Sequence, residues 1–314
     1  MGLNLNSIKL LFEAKAAGVS FERTLTLGRQ AFHCHPAFFH ELKTKFGYAS
    51  SDYSPEKNSD PAYADIFFKM LGAREVVALD HSAYEGAEII HDLNTPIGEG
   101  LRGRFDVVID GGALEHVFNF PAAIRNCMEM VIPGGHFLAV TPINNFCGHG
   151  FYQFTPELFF RTLSPENGFH IERAIAWEER ENTDYFQIHD PAVIRRRVEL
   201  VNTCPVLMFF QAKKIKEISA FNMPQQSDYV ALWESSEATR PTPGTENLKG
   251  RRSFRTRLVL AFLDWFPHFT TAVFGLRRMR KLKSFSLRQE PGFKPLGKLS
   301  SKDSIDRLPS PGGE

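Results

Sequence analysis

FDVVIDGGALEHVFN, residues 105 to 119, decides how the chain is read. From Phe105 to Asp110 the run is β-branched and almost unbroken in apolarity, the mark of a strand buried on both faces of a parallel sheet. It stops abruptly at an aspartate and two glycines. Paired glycines after a buried strand let backbone approach a ligand with no Cβ in the way, and Asp110 is expected to aim into the same crevice as Gly111 and Gly112. Glu115 and His116 follow on the next turn. They are either contacts, one to a cofactor and one to a substrate, or simply the start of a helix whose positive end favours an acid.

Working outward, strands of the same kind recur. Leu25–Leu27, EVVALD (75–80) and AEIIHDL (87–93) precede the run, and GHFLAV (135–140) follows it. Helical patterns lie among them: the N-terminal stretch carrying Ile8, Leu11, Phe12 and Lys15; HPAFFHELKTKFG; residues 61–71, with Asp60 as N-cap and Pro61 in first position; and FPAAIRNCMEMVI. Strands alternating with helices predict an α/β protein with an open, doubly wound, Rossmann-like and mostly parallel sheet. TPELFFRTL reads as a further helix. NGFHIERAIAWEE and PVLMFFQAKK supply a late, antiparallel edge pair that completes the core by about residue 215.

Such sheets bind ligands beyond the carboxyl ends of their strands, so the residues just after each strand matter most. They are Gly28, Arg29 and Gln30; Asp80 and His81; Asp92 and Leu93; Asp110, Gly111, Gly112, Glu115 and His116; and Thr141 to Asn145. Beyond the last of these, CGHGFYQF brings His149 and aromatic rings on what reads as a lid, with Phe151 and Phe154 expected in the core.

A chain of 314 residues with 43% hydrophobic content buries a full core, which excludes disorder throughout. The formal charge of +1 hides an asymmetry: from Arg251 onward there are 14 Lys/Arg against 5 Asp/Glu, so the body is acidic and the tail basic. The expected organisation is a domain over 1–215, a linker over 216–250, a basic apolar helical segment over 251–283 and a disordered tail over 284–314. Within the third, LVLAFLDWFPHFTTAVFGL is broken by Asp264 and Pro267. It suits rest on an anionic membrane surface, or packing on the domain, better than spanning. No nucleic-acid partner is expected. Four scattered cysteines imply reduced thiols, and the N-terminus lacks a secretory signal. A cytoplasmic protein follows, with peripheral contact at the inner membrane face as an option. His33, Cys34 and His35 are ligand types, but adjacent side chains point different ways and no distant pair has the right spacing, so no metal is expected.

Asp80 closing the second strand, FDVVIDGGALEHVFN and MVIPGGHFLAVTP together resemble the class I S-adenosylmethionine-dependent methyltransferases over roughly residues 20–212. The resemblance implies S-adenosyl-L-methionine as cofactor. It also implies methyl transfer to a hydroxyl or amine of a small molecule or sugar, as in bacterial methyltransferase-like proteins linked to surface polysaccharide. It places Asp80 on the ribose hydroxyls, Asp92 and Leu93 at the adenine, and the Asp110 strand end at the methionine portion. The residue-level alternatives are that Asp80 caps SAYEGA and that Asp92 sits in its own DLNTP turn. The first loop, TLTLGRQAFH, departs from the pattern in having Gly28 alone. Arg29 and Gln30 must therefore either supply side-chain contacts, Arg29 suiting a cofactor carboxylate, or block the site. His116 or His149 is the expected general base. A catalytically inactive binding or scaffold protein is the alternative, and a nicotinamide-dependent oxidoreductase shares the fold but needs the glycines more.

Overall fold

The computed structural model of the protein describes residues 2–49, 63–180, 183–238, 286–288 and 291–297. Its centre is a nine-stranded sheet. In chain order the elements are β1 (Gly2–Asn4), α1 (Leu5–Ala16), β2 (Arg23–Leu27), β3 (Ala31–His33), α2 (Pro36–Lys45), α3 (Asp65–Met70), β4 (Glu75–Asp80) and β5 (Ile89–Ile90). Then come β6 (Phe105–Gly111), α4 (Phe120–Met130), β7 (Val131–Asn144), α5 (Pro156–Thr162), β8 (Phe169–Glu178), β9 (Tyr185–Ile188), α6 (Pro191–Ile194), β10 (Val206–Lys214), α7 (Ser227–Ala238) and β11 (Phe293–Gly297).

The sheet order is β11-β9-β8-β10-β7-β6-β2-β4-β5. From β7 to β5 every pairing is parallel, with Leu27 opposite Asp110 and Leu27 opposite Leu79. From β10 outward every pairing is antiparallel. The parallel strands are wrapped on both faces, as their unbroken apolarity requires. On one face Ile8, Leu11 and Phe12 of α1, Phe39 of α2 and Phe67 and Phe68 of α3 pack against Val107, Ile109 and Leu138. On the other, Ile124 and Met128 of α4 and Phe159 and Phe160 of α5 pack against Leu25, Val108 and Phe137. The doubly wound α/β expectation therefore holds, and the antiparallel part is larger than the single late pair.

Several local expectations change. The helix read over 61–71 spans Asp65–Met70, because the Ala64 amide donates to the Gln30 carbonyl and Tyr63 bridges Ala31. Asp60 and Pro61 lie outside the described residues. Residues 227–238, read as linker, form α7, with Glu157 accepting from the Ser227 amide and hydroxyl at its start. The tail read as disordered from 284 contributes β11, which pairs antiparallel with β9, and both Leu287 and Phe293 of the tail are buried. The basic apolar segment, 251–283, lies outside the described residues. Among those that are described, no helix is long and apolar enough to cross a membrane.

Candidate functional site

The carboxyl ends of β2, β4 and β6 open into a cleft of about 510 Å³ lined by Gly28, Asp80, His81, Asp92, Leu93 and His116, with Asn94, Ala113 and Val117 among the remaining walls. Residues singled out at four separate strand ends thus converge. Gly28 turns the chain at a φ of 67°, a conformation that favours glycine, and its amide donates to the Leu79 carbonyl (2.7 Å). Asp80 Oδ1 accepts from the His81 amide (2.6 Å), and this half-buried carboxylate caps no described helix.

Asp92 answers to both of its readings. It lines the cleft, yet its Oδ1 accepts from the amide (2.9 Å) and side chain (2.7 Å) of Asn94, the turn that DLNTP implied. Those two bonds hold its carboxyl below the ordinary range. Leu93 is buried, and Asn126 on α4 fixes the segment behind it. The Asn126 side chain donates to the carbonyls of Leu93 (3.2 Å) and Thr95 (2.8 Å) and accepts from the Ile97 amide (3.1 Å). Sequence reasoning missed Asn126, since a polar residue within an apolar helical pattern reads as a surface position. A buried asparagine that satisfies three backbone groups is what the fold makes of it.

Other expected ligand residues do not line the cleft. Arg29 is engaged elsewhere, with Nε 3.4 Å from Asp65 Oδ2, Nη1 donating to the Glu85 carbonyl and the guanidinium 4.2 Å above the Tyr63 ring. Gln30 is buried, and its Nε2 donates to the Leu27 carbonyl (2.6 Å). The Gln30 side chain lies against Gly111, where a Cβ would meet its Oε1 at 2.3 Å. A side chain at position 111 therefore obliges Gln30 to move. Asp110, expected to aim into the crevice, is fully buried; its Oδ1 accepts from the amides of Ala113 (2.7 Å) and Leu114 (3.4 Å) and shapes the short turn at 114–116.

Glu115 is also buried. Burial pushes the carboxyls of Asp110 and Glu115 up, that of Glu115 further through the neighbouring Asp110. Gln30 Oε1, Asp110 Oδ2 and Glu115 Oε2 are buried acceptors with no hydrogen-bond partner. This group, buried behind the cleft wall, is therefore short of hydrogen-bond donors.

The segment after β7 fastens onto Glu115. The Glu115 carbonyl accepts from the amides of Phe151 (2.8 Å) and Tyr152 (3.2 Å), and the Tyr152 hydroxyl donates to the Phe118 carbonyl (2.6 Å). Gly150 has a φ of 70°, and a Cβ there would stand 2.7 Å from the Glu115 carbonyl oxygen. This clasp carries His149 to Glu115, Nε2 to Oε1 3.4 Å, and sets its ring edge-on to His116 at 4.8 Å. Both histidines are exposed. Burial, and then His149, hold the His116 imidazole below its ordinary pKa. Phe154 is buried as expected, but Phe151 is 67% exposed and meets the exposed Phe118 edge-on at 5.8 Å, so the lid contributes an aromatic rim. His33, Cys34 and His35 do not join this group. His35 caps α2, its Nδ1 accepting from the Ala37 amide.

No protein-family model and no curated protein matches the chain. Among solved structures it is similar to the 1,6-didemethyltoxoflavin-N1-methyltransferase of Burkholderia thailandensis, crystallised with S-adenosylhomocysteine, at 14% identity and a TM-score of 0.35, covering 68% of this chain and 78% of that one. It is similar to the N-methyltransferase NodS of Bradyrhizobium japonicum, also bound to S-adenosylhomocysteine, at 13% identity and TM-score 0.34, over 66% and 85%. The branched-chain polyamine synthase of Thermus thermophilus is another, at 13% and 0.35, over 69% and 58%, with 5'-methylthioadenosine bound. Likeness at this level fixes neither reaction nor ligand.

Proposed function

We propose that the protein is an S-adenosylmethionine-dependent methyltransferase acting on a hydroxyl or amine of a small molecule or sugar. The observation that carries the proposal is the convergence of Gly28, Asp80, Asp92, Leu93 and His116 on one cleft at the carboxyl ends of the parallel strands. The residues present fit the cofactor. Asp80 is free of helix capping and suited to two ribose hydroxyls, Leu93 gives an apolar wall, and Asp92 offers an acceptor.

When bound, the cofactor supplies a methyl group already activated as an electrophile. The chain's own work is to align the acceptor and manage its proton. His116, on the cleft wall, is placed to take a proton from an acceptor in the cleft, and His149 stands edge-on beside it. Phe118 and Phe151 offer ring faces to the acceptor at the rim. The test is calorimetric titration with S-adenosylhomocysteine. Saturable binding that Asp80→Ala weakens sharply supports the proposal, and no binding at millimolar ligand sinks it.

The buried Gln30 favours a second reading. It fills the space of the first loop that further glycines would leave for a ligand, as a scaffold protein that keeps the sheet without the reaction would allow. Cofactor-dependent methylation of any cellular fraction, lost in Asp80→Ala, eliminates it.

A further inference from the structure

We infer that Glu115, His116 and His149 form a binding site for a divalent transition-metal ion at the acceptor end of the cleft. One ligand atom from each lies within 4.8 Å of the other two. Donor atoms around a single ion of this kind sit about 3–4 Å apart, given metal–nitrogen and metal–oxygen bonds near 2 Å. Glu115 Oε1 and His149 Nε2, at 3.4 Å, are already at that separation. The exposed His116 ring closes the remaining gap by rotating its side chain.

Two further features set this group apart from a surface ion pair. Glu115 Oε2 is buried without a partner, so the carboxylate is short of a positive neighbour that the half-exposed His149 only partly supplies. The three residues are also held by hydrogen bonds from their surroundings, one set local and one remote in sequence. Asp110 fixes the 114–116 turn through the Ala113 and Leu114 amides, and the Glu115 carbonyl clasps the lid at Phe151 and Tyr152. Orientation of ligands by neighbouring hydrogen bonds is what metal sites require.

The donor set of two imidazoles and one carboxylate suits zinc, cobalt, iron(II) or nickel, and not magnesium or calcium, which favour oxygen alone. Three protein ligands leave positions open for solvent or a substrate oxygen. Rims carrying Phe118 and Phe151 stand next to those positions. The ion's role, unlike its binding, rests on the methyltransferase reading. An acceptor hydroxyl bound to the ion gives up its proton to solvent, and its oxygen lone pair forms the O–CH3 bond. The C–S bond breaks, its electron pair going to sulfur, which becomes a neutral thioether. The acceptor class is then a hydroxyl beside a second oxygen able to chelate, such as a vicinal diol or a catechol. With the ion in place the imidazoles hold it and are not proton acceptors.

The experiment uses the full chain, stripped with chelator and titrated with Co2+, whose visible ligand-field absorption reports coordination. One saturating equivalent with an intense four- or five-coordinate spectrum is expected. His116→Ala, His149→Ala and Glu115→Gln should each weaken it at least about tenfold, while His40→Ala on α2 leaves it unchanged. His149→Gln serves as a second variant, and circular dichroism checks that each is folded. No saturable absorption, or absorption indifferent to both histidine variants, overturns the site and leaves an ordinary His–Glu pair. Titration with S-adenosylhomocysteine in parallel separates the two claims. Cofactor binding without cobalt binding rejects the ion and keeps the methyltransferase reading, and cobalt binding without cofactor binding does the reverse.

Discussion

The two ends of the cleft are built on opposite principles. At the Asp80–Asp92 end each polar group is settled by its immediate neighbours: Asp80 by the His81 amide, Asp92 by Asn94. At the Glu115 end the groups come from distant parts of the chain, and their acceptors are buried in excess of any donor. The first end is a preformed wall for a neutral, hydrogen-bonding ligand. The second holds buried carboxyl groups whose protonated forms burial favours, so ligand binding there changes charge state as well as contacts.

Substitutions that break this contrast differ in size. The largest effect is expected from Gly111→Val, which drives a side chain into Gln30 where even a Cβ would stand 2.3 Å from Oε1. Overpacking of this kind should cost up to about 3 kcal/mol in denaturant unfolding. Adding Gln30→Ala should recover part of that loss, and additive costs would show that the two do not meet. Asp80→Ala comes next. It removes charged hydrogen bonds worth about 1.5–3 kcal/mol, or roughly ten- to a hundredfold in S-adenosylhomocysteine affinity, with the melting temperature unchanged.

Asp110→Asn tests the other end through pH. The Asp110 carboxyl is raised from its ordinary value to about 7 by burial. The protonated form is thus favoured in the folded chain, and its stabilising contribution is full at acid pH and fades as pH rises towards 7. The asparagine variant should show a flatter stability profile between those limits; an unaltered slope would mean the charge is relieved elsewhere. The smallest effect is expected from Phe151→Ala, whose exposed ring should contribute within about 0.5 kcal/mol to stability. Any larger change should appear only in acceptor KM.

The same contrast explains what could be read in advance. Gly28, Asp80, Asp92 and Leu93 were legible because each lies at or just beyond the end of an apolar strand, and a parallel sheet aligns such ends without further information. Arg29 was not, because its partners Asp65 and Glu85 are brought near only by folding. The same holds for Gln30 and Gly111, whose contact crosses from one strand end to another. His149 was visible as a candidate, but its meeting with Glu115 depends on Gly150 and the clasp at Tyr152, which no local pattern announces. β9 was missed although Tyr185, Phe186 and Ile188 favour a strand, because it is only four residues long within a polar stretch, and β11 was missed because it is weakly β-forming alone. Val, Ile and aromatic enrichment is weak in FKPLG, and pairing makes it a strand.

That last strand has a consequence for how copies of the protein meet one another. An open strand flank is a template for a neighbour's backbone, and here β11 covers the flank of β9 with a segment carrying exposed Lys294 and Pro295. Proline has no amide hydrogen to offer and lysine repels its own kind, so growth of the sheet from molecule to molecule is discouraged at this rim. At the opposite rim the last strand is only Ile89–Ile90, too short to template an intruder. Among the described residues, then, edge-to-edge pairing is disfavoured at both rims of the nine-stranded sheet. Concentrated solutions of the folded chain should resist fibrillar stacking at these two rims.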